Sequence, residues 1–370
     1  MNTNDTNFRM TLFYELIQVA LGEKERLSRM PSDKEWMHLY EEAERQLVTS
    51  VAFDALEVLN RQGLKPPFDL LCDWIGYAEQ IKVQNLLVNK RSVEVSQIFS
   101  EAGFGTCILK GQGNARLYPN PLARVPGDID LWVVECEDGT EFTDKTFREK
   151  VDKFVHKSFS NVKSGRMHID YPIFNDVKVE AHYFPRYMFA PWHNKRLQAF
   201  FKKHAKEQIN NVVSLAGAEG VCAVATTEFN VMHQMAHMMS HTVGEGVGLR
   251  QFVDYYYVLK SIKMSKPIIN DWATEFRQVG LYEFAQGVMW IEKNLLGIDD
   301  TYLIVEPSER VGRFIQKIIE RGGNFGHYDK LNTCRRRSCW GRIYGGAYQS
   351  LRALRYFPTE VMWKIIGRVV

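Results

Sequence analysis

Two acids two residues apart, Asp128 and Asp130, stand at the entry to an apolar run from Ile129 to Val134. Successive side chains of a strand point to opposite faces, so both carboxylates share one face while Ile129 and Leu131 take the other. By the strand rise they lie about 6–7 Å apart, and they repel unless positive charge stands between them. Hard divalent cations supply that charge, and carboxylate oxygens are the ligands Mg²⁺ prefers. The same short pattern is common on solvated strand edges, where Gly127-Asp128 does no more than open the strand. Upstream, the β-like run Cys107-Ile108-Leu109 ends in Lys110-Gly111-Gln112-Gly113. A turn-rich connection through Tyr118-Pro119-Asn120-Pro121 then leads to the second run.

The order of parts is a strand, a Lys-Gly turn, a helix-sized gap, and Gly-Asp-Ile-Asp-Leu opening another strand. In this the chain resembles the nucleotidyltransferase superfamily that includes DNA polymerase beta and the aminoglycoside nucleotidyltransferases. More narrowly, it is similar to bacterial nucleotidyltransferase family proteins in which an L-K-G turn precedes R-x-x-G-D-I-D-L. Those residues stand here as Leu109-Lys110-Gly111 and Arg124-Val125-Pro126-Gly127-Asp128-Ile129-Asp130-Leu131. The close match covers roughly residues 105–185, and the flanks share only helical character.

The resemblance implies transfer of a nucleoside monophosphate from an NTP to a hydroxyl, with pyrophosphate released. It implies two Mg²⁺ ions, with Mn²⁺ as an alternative, held by Asp128, Asp130 and a third acid on a neighbouring strand. Such ions organise the triphosphate and lower the pKa of the acceptor hydroxyl. Glu180, in Val177-Lys178-Val179-Glu180-Ala181-His182, is the residue assigned as that acid, an exposed hairpin Glu being the alternative. His182 shares its face and contacts a phosphate, moves a proton, or orients Glu180. The third of these is preferred.

The Lys110-Gly111 turn would offer backbone N–H groups to the β- and γ-phosphates, glycine allowing close approach. Lys110 adds positive charge. The superfamily usually has Gly-Ser at this turn. Gln112 stands there instead and still donates a hydrogen bond. Arg124 lies within the 16-residue gap between Gly111 and Asp128 and either reaches a phosphate or forms a bystander ion pair. A comparable H…R…D helical region in the related enzymes makes Arg250 a further candidate phosphate contact.

The rest of the chain must position these groups. At 370 residues, 45% hydrophobic and 25% charged, it is long enough for two or three domains of ordinary globular composition. A net charge of +3 is too small to argue for nucleic acid, which stays a lesser alternative partner. Positive charge gathers late, with eight Lys/Arg and one acid from Leu331 to Val370. Cys334-Arg335-Arg336-Arg337 and the tail from Arg352 read as a solvated face, an RNA contact or a surface-seeking helix. Six scattered cysteines without a C-x-x-C pair make a poor zinc framework and a poor disulfide scaffold. The polar N-terminus shows no secretory signal, and no apolar run reaches the ~18 residues of a membrane span, so the cytoplasm is expected.

Periodicity predicts helices over residues 8–21, from Ser32-Asp33 to Leu59, from Phe68 to Ala102 and over Lys145–Ser158. Two strands are predicted at Arg166–Ile173 and Asp176–Tyr183, joined by Phe174-Asn175. Helices follow from Gln198 to Ile209 and from Glu219 to Ser240. The second places His233, His237 and His241 on one face. Because Gln234 follows His233, the metalloprotease Glu is missing, and the ladder reads as packing or substrate contact rather than zinc. Gly244 to Gly248 reads as a flexible hinge or loop, and Arg250 with Asp254 as an i,i+4 ion pair.

The fold class expected is α+β: a small mixed-sheet nucleotidyltransferase core at 105–197, between an N-terminal helical region at 1–104 and a C-terminal helical domain with a basic tail at 198–370. Two other readings stay open. One is a non-catalytic binding or regulatory module on the same fold, antitoxin-like or a complex partner. The other is an RNA end-modifying enzyme.

Overall fold

Ser32 opens a helix through reciprocal capping. The Glu35 carboxylate accepts the Ser32 backbone N–H at 2.9 Å and its hydroxyl at 2.8 Å, satisfying donors that a helix start leaves open. The computed structural model describes residues 3–135, 145–262, 266–329 and 350–369. Cys136, Cys334, Cys339 and Arg335 to Arg337 lie outside them. Helices α1 (Thr3–Ala20), α2 (Asp33–Gln46), α3 (Thr49–Asn60) and α4 (Phe68–Glu101) come first. Next are β1 (Phe104–Ile108), the single turn α5 (Gln112–Ala115), β2 (Ile129–Glu135), α6 (Lys145–Ser158), β3 (His168–Asp170) and β4 (Val179–His182). Then follow α7 (Pro191–Asn210), β5 (Val212–Val213), β6 (Cys222–Ala223), α8 (Thr227–Val243), α9 (Leu249–Ser261), α10 (Lys266–Gln278), α11 (Tyr282–Ile291) and α12 (Glu309–Gly322), with α13 (Pro358–Val369) near the end. The fold is α+β. Among the described residues no helix is long and apolar enough to cross a membrane.

The chain forms two units, one of Val83–Leu122 and Pro126–His237, the other of Met1–Lys82, Ala123–Val125 and Met238–Val370. The first unit holds a four-stranded sheet in the order β1-β2-β4-β3. Strand β1 runs antiparallel to β2, β2 parallel to β4, and β4 antiparallel to β3. Alternation sorts the two faces. Ile129, Leu131, Val133, Val179, Ala181 and Ile169 join Val95 and Phe99 of α4 and Phe147, Val151 and Val155 of α6 in one core. Each fully buried side chain of this size contributes about 1.5–3 kcal/mol, which fixes the register, since a one-residue slip would turn the apolar set outward. The opposite face carries Asp130 and Trp132, with Trp132 stacked on Phe229 of α8 at 5.6 Å.

Several elements differ from expectation. The helix expected to run to Leu59 breaks at Leu47, which takes a left-handed conformation (φ 53°) and returns its N–H to Ala43 and Glu44. The fully buried Gln46 anchors the break, donating to the Ile319 carbonyl and accepting the Leu249 N–H. The two strands at 166–183 are shorter than expected. Pro172 has no N–H to continue the ladder, and Arg91 holds the Asp176 carboxylate within the connection. The helix expected from Glu219 starts only at Thr227. Before it, Cys222 and Ala223 pair with Val213 and Val212, and the β-branched Val224 bridges Ile108. Gly248, expected in a hinge or loop, lies in the loop before α9 and is closely packed there, because a Cβ would come within 2.7 Å of the Asn324 Cα.

In the helical unit, Glu292 opens a π-turn (Glu292–Leu296). Both of its carboxyl oxygens are buried without a hydrogen-bond partner, and burial pushes its pKa well up. The folded chain therefore holds a proton that the unfolded chain releases above the ordinary glutamate pKa. Stability is lost as pH rises from that value toward the raised one. Glu292→Gln removes this dependence. The melting-temperature advantage of the variant should widen between pH 5 and pH 8, equivalent to about 1–3 kcal/mol; a gap that stays constant with pH would contradict the buried neutral carboxyl.

Candidate active site

Sheet register builds the site as a grid. Asp130 of β2 lies opposite Glu180 of β4, and Glu180 lies opposite Asp170 of β3. One step along, Trp132 pairs with His182 and His182 with His168. Positions two apart share a face, so acids form one row and imidazoles the next. Asp128 precedes β2 by one residue, and oxygens of Asp128, Asp130 and Glu180 converge within 4.8 Å of one another.

Positive side chains balance these acids. The Lys110 ammonium, at the end of β1, lies 2.7 Å from Asp130 Oδ2 and 4.0 Å from Asp128 Oδ1. Lys178 Nζ lies 2.5 Å from Glu180 Oε1 and 3.2 Å from Asp170. His182 Nε2 stands between Asp130 and Glu180, 3.0 Å from Asp130 Oδ1 and 3.4 Å from Glu180 Oε2. His168 Nδ1 is 3.3 Å from the same Glu180 oxygen.

Burial alone would push the Asp130 carboxyl up. Lys110 and His182 overcome this and hold it far below the usual range. Glu180 is likewise drawn down to about 2, its burial outweighed by His182 and Lys178. Asp128 goes the other way, pushed up by the charge of Asp130 and then by its own burial, against Lys110. Burial would lower His182, but Asp130 and Glu180 raise it. His168 is lowered by burial. His233 falls to about 3 through burial and the charge of Lys110, so α8 presents a neutral imidazole to this region.

The turn that delivers Lys110 depends on glycine. Gly111 has φ 60° and ψ −111°, a conformation that costs an L-residue about 1–3 kcal/mol. Gly111→Ala should lower the urea midpoint by that equivalent. An unchanged midpoint would mean that the turn relaxes freely.

The remaining residues have partners of their own. The buried Gln112 amide donates to Asn89 at 2.5 Å and Asn85 at 3.2 Å on α4, so this side chain ties the turn to the helix. In the helical unit, Arg124 makes two hydrogen bonds to Asp254, of 2.7 and 2.8 Å. Arg250 donates to the Val125 carbonyl at 3.0 Å. Asp254, expected as the i,i+4 partner of Arg250, receives the Arg124 fork. Of the His ladder, His233 packs against Phe229 and His237, while His241 meets Phe325.

His168, Asp170 and the pairing of Lys178 with Glu180 were not singled out from sequence. The signal was the alternation His168-Ile169-Asp170, which puts both polar residues on one strand face.

A divalent cation fits this donor set, since three carboxylates from adjacent strands meet with their oxygens close together, as hard ions require. A strand, a glycine turn and two further strands that bring carboxylates to one sheet face define a nucleotidyltransferase-like class of protein. Residues 32–297 match the model of a family described as uncharacterised nucleotidyltransferases; that is well over half of the chain, and the chain belongs to this family. No curated protein and no solved structure matches it.

Proposed function

We propose that the protein is a metal-dependent nucleotidyltransferase that moves an NMP from an NTP to a hydroxyl of a small molecule or protein, releasing pyrophosphate. The observation that carries this reading is the convergence of Asp128, Asp130 and Glu180 within 4.8 Å on one sheet face. These three would hold Mg²⁺, or Mn²⁺ in its place. Bound there, two such ions would supply charge neutralisation on the triphosphate and a more acidic acceptor hydroxyl.

The chain's own residues divide the remaining work. Lys110 holds positive charge beside the carboxylates and is assigned to the phosphates. The Gly111 turn is assigned to the same groups through backbone N–H donors that a helix start leaves open. His182 lies between Asp130 and Glu180 and orients both. Gln112 braces the turn from behind, so the phosphate contact is assigned to backbone rather than to its amide. Every one of these residues falls within 105–197, the proposed catalytic core, and the cytoplasm is the proposed compartment.

One observation favours a second reading, a non-catalytic binding module. Lys110 and Lys178 already neutralise the carboxylates from within. Incubation with α-labelled NTPs and Mg²⁺ separates the two, because water can stand in slowly for the acceptor. Labelled NMP with pyrophosphate, abolished by EDTA, is the result expected of the enzyme. Labelled NDP would report cleavage at the γ-phosphate and contradict nucleotidyl transfer, and no cleavage with any NTP would favour the module.

A further inference from the structure

We infer that His168, His182 and Glu180 form a second, nitrogen-rich metal site that takes a borderline divalent transition metal of the Zn²⁺ kind rather than Mg²⁺. It goes beyond the nucleotidyl-transfer reading and stands on its own geometry. His168 Nδ1 and His182 Nε2 lie 3.3 and 3.4 Å from the same oxygen, Glu180 Oε2. Ligand atoms on a tetrahedral ion with bonds of about 2.0–2.1 Å sit about 3.3–3.4 Å apart along each edge. The three donor atoms lie within 4.8 Å of one another, and Asp130 Oδ1, 3.0 Å from His182 Nε2, is at hand as a fourth ligand.

Three further features favour a metal. His168 Nδ1 and His182 Nε2 are both buried atoms that face carboxylate oxygens at 3.0–3.4 Å, and the His182 side chain is 3% exposed. On the far side of His168, Asp170 Oδ1 lies 3.9 Å from Nε2, beyond hydrogen-bond reach but on the side from which a carboxylate orients a ligating imidazole. Two imidazoles and one carboxylate suit zinc or ferrous iron, whereas Mg²⁺ takes oxygen ligands. Glu180 thus belongs to both clusters, with the hard oxygen set of Asp128 and Asp130 on one side and the imidazoles on the other.

The test uses Co²⁺ as a coloured probe for the Zn²⁺ type of site. The full chain, stripped of metal with a chelator and dialysed, is titrated with CoCl₂ and followed by visible absorption. The expected result is an intense tetrahedral spectrum at one equivalent, displaced by Zn²⁺ and not by excess Mg²⁺. His168→Gln, on an edge strand and checked for folding by circular dichroism, should lose the spectrum and bind Co²⁺ at least ~10–100-fold more weakly, the loss that removing a mere supporting partner already causes. Asp128→Asn should keep it while weakening Mg²⁺-dependent NTP binding, so that this proposal and the nucleotidyl-transfer reading fail separately. A wild-type spectrum that is absent, insensitive to His168→Gln or displaced by Mg²⁺ would overturn the site.

Discussion

Asp130→Asn is expected to reduce Mg²⁺·NTP affinity by at least ~100-fold. Loss of a supporting residue around a metal costs about 10–100-fold, and Asp130 is assigned as a ligand. It is also the most buried of the three acids, its side chain 4% exposed against 38% for Asp128. Its oxygens face Lys110 on one side and His182 on the other, so Asn removes the charge that keeps both cations in register. Asp128→Asn acts at the rim of the same cluster and should cost less. Calorimetric titration of Mg²⁺ and NTP into each folded variant checks the order. Equal affinities in wild type and Asp130→Asn would remove Asp130 from the site.

Arg124→Ala is expected to destabilise the helical unit by about 3–5 kcal/mol, the usual cost of breaking a buried ion pair from one side. The guanidinium and the Asp254 carboxylate are both buried and joined by two hydrogen bonds. Alanine leaves the carboxylate without the planar fork that matches it. Replacing both partners with apolar residues, Arg124→Met with Asp254→Leu, should recover most of the loss, since a buried pair gains little over well-packed hydrophobes. Urea unfolding of the three variants reads this directly. A drop in NTP affinity with stability unchanged would instead make Arg124 a phosphate contact.

Strand chemistry was the legible part of this chain. Asp128-Ile129-Asp130 and Lys178-Val179-Glu180-Ala181-His182 announce shared faces because the period of two is local. The helices α4 and α6 follow from apolar spacing in the same way. Illegible were the matters decided between elements. The opposition of His168 to His182 depends on the register of β3 against β4. The Lys110 contact with Asp130 depends on β1 lying beside β2. Asp254 looked like a partner for Arg250 at i,i+4, an arrangement worth only about 0.2–0.5 kcal/mol. The fork from Arg124, 130 residues away, brings two charge-assisted hydrogen bonds that no local spacing announces. The short ladder of β5 and β6 has too few residues to show any period at all.

Whether the carboxylates form a metal-dependent nucleotide site is tested by a thermal-shift panel that needs no acceptor. Each NTP is added with Mg²⁺, then with EDTA, and then to Asp128→Asn/Asp130→Asn. Ligand at a hundredfold excess over its dissociation constant stabilises by about 2.7 kcal/mol, a readable rise in melting temperature. The expected result is a rise for at least one NTP that disappears with EDTA and in the double variant. A rise that survives both, or none with any NTP, would contradict it.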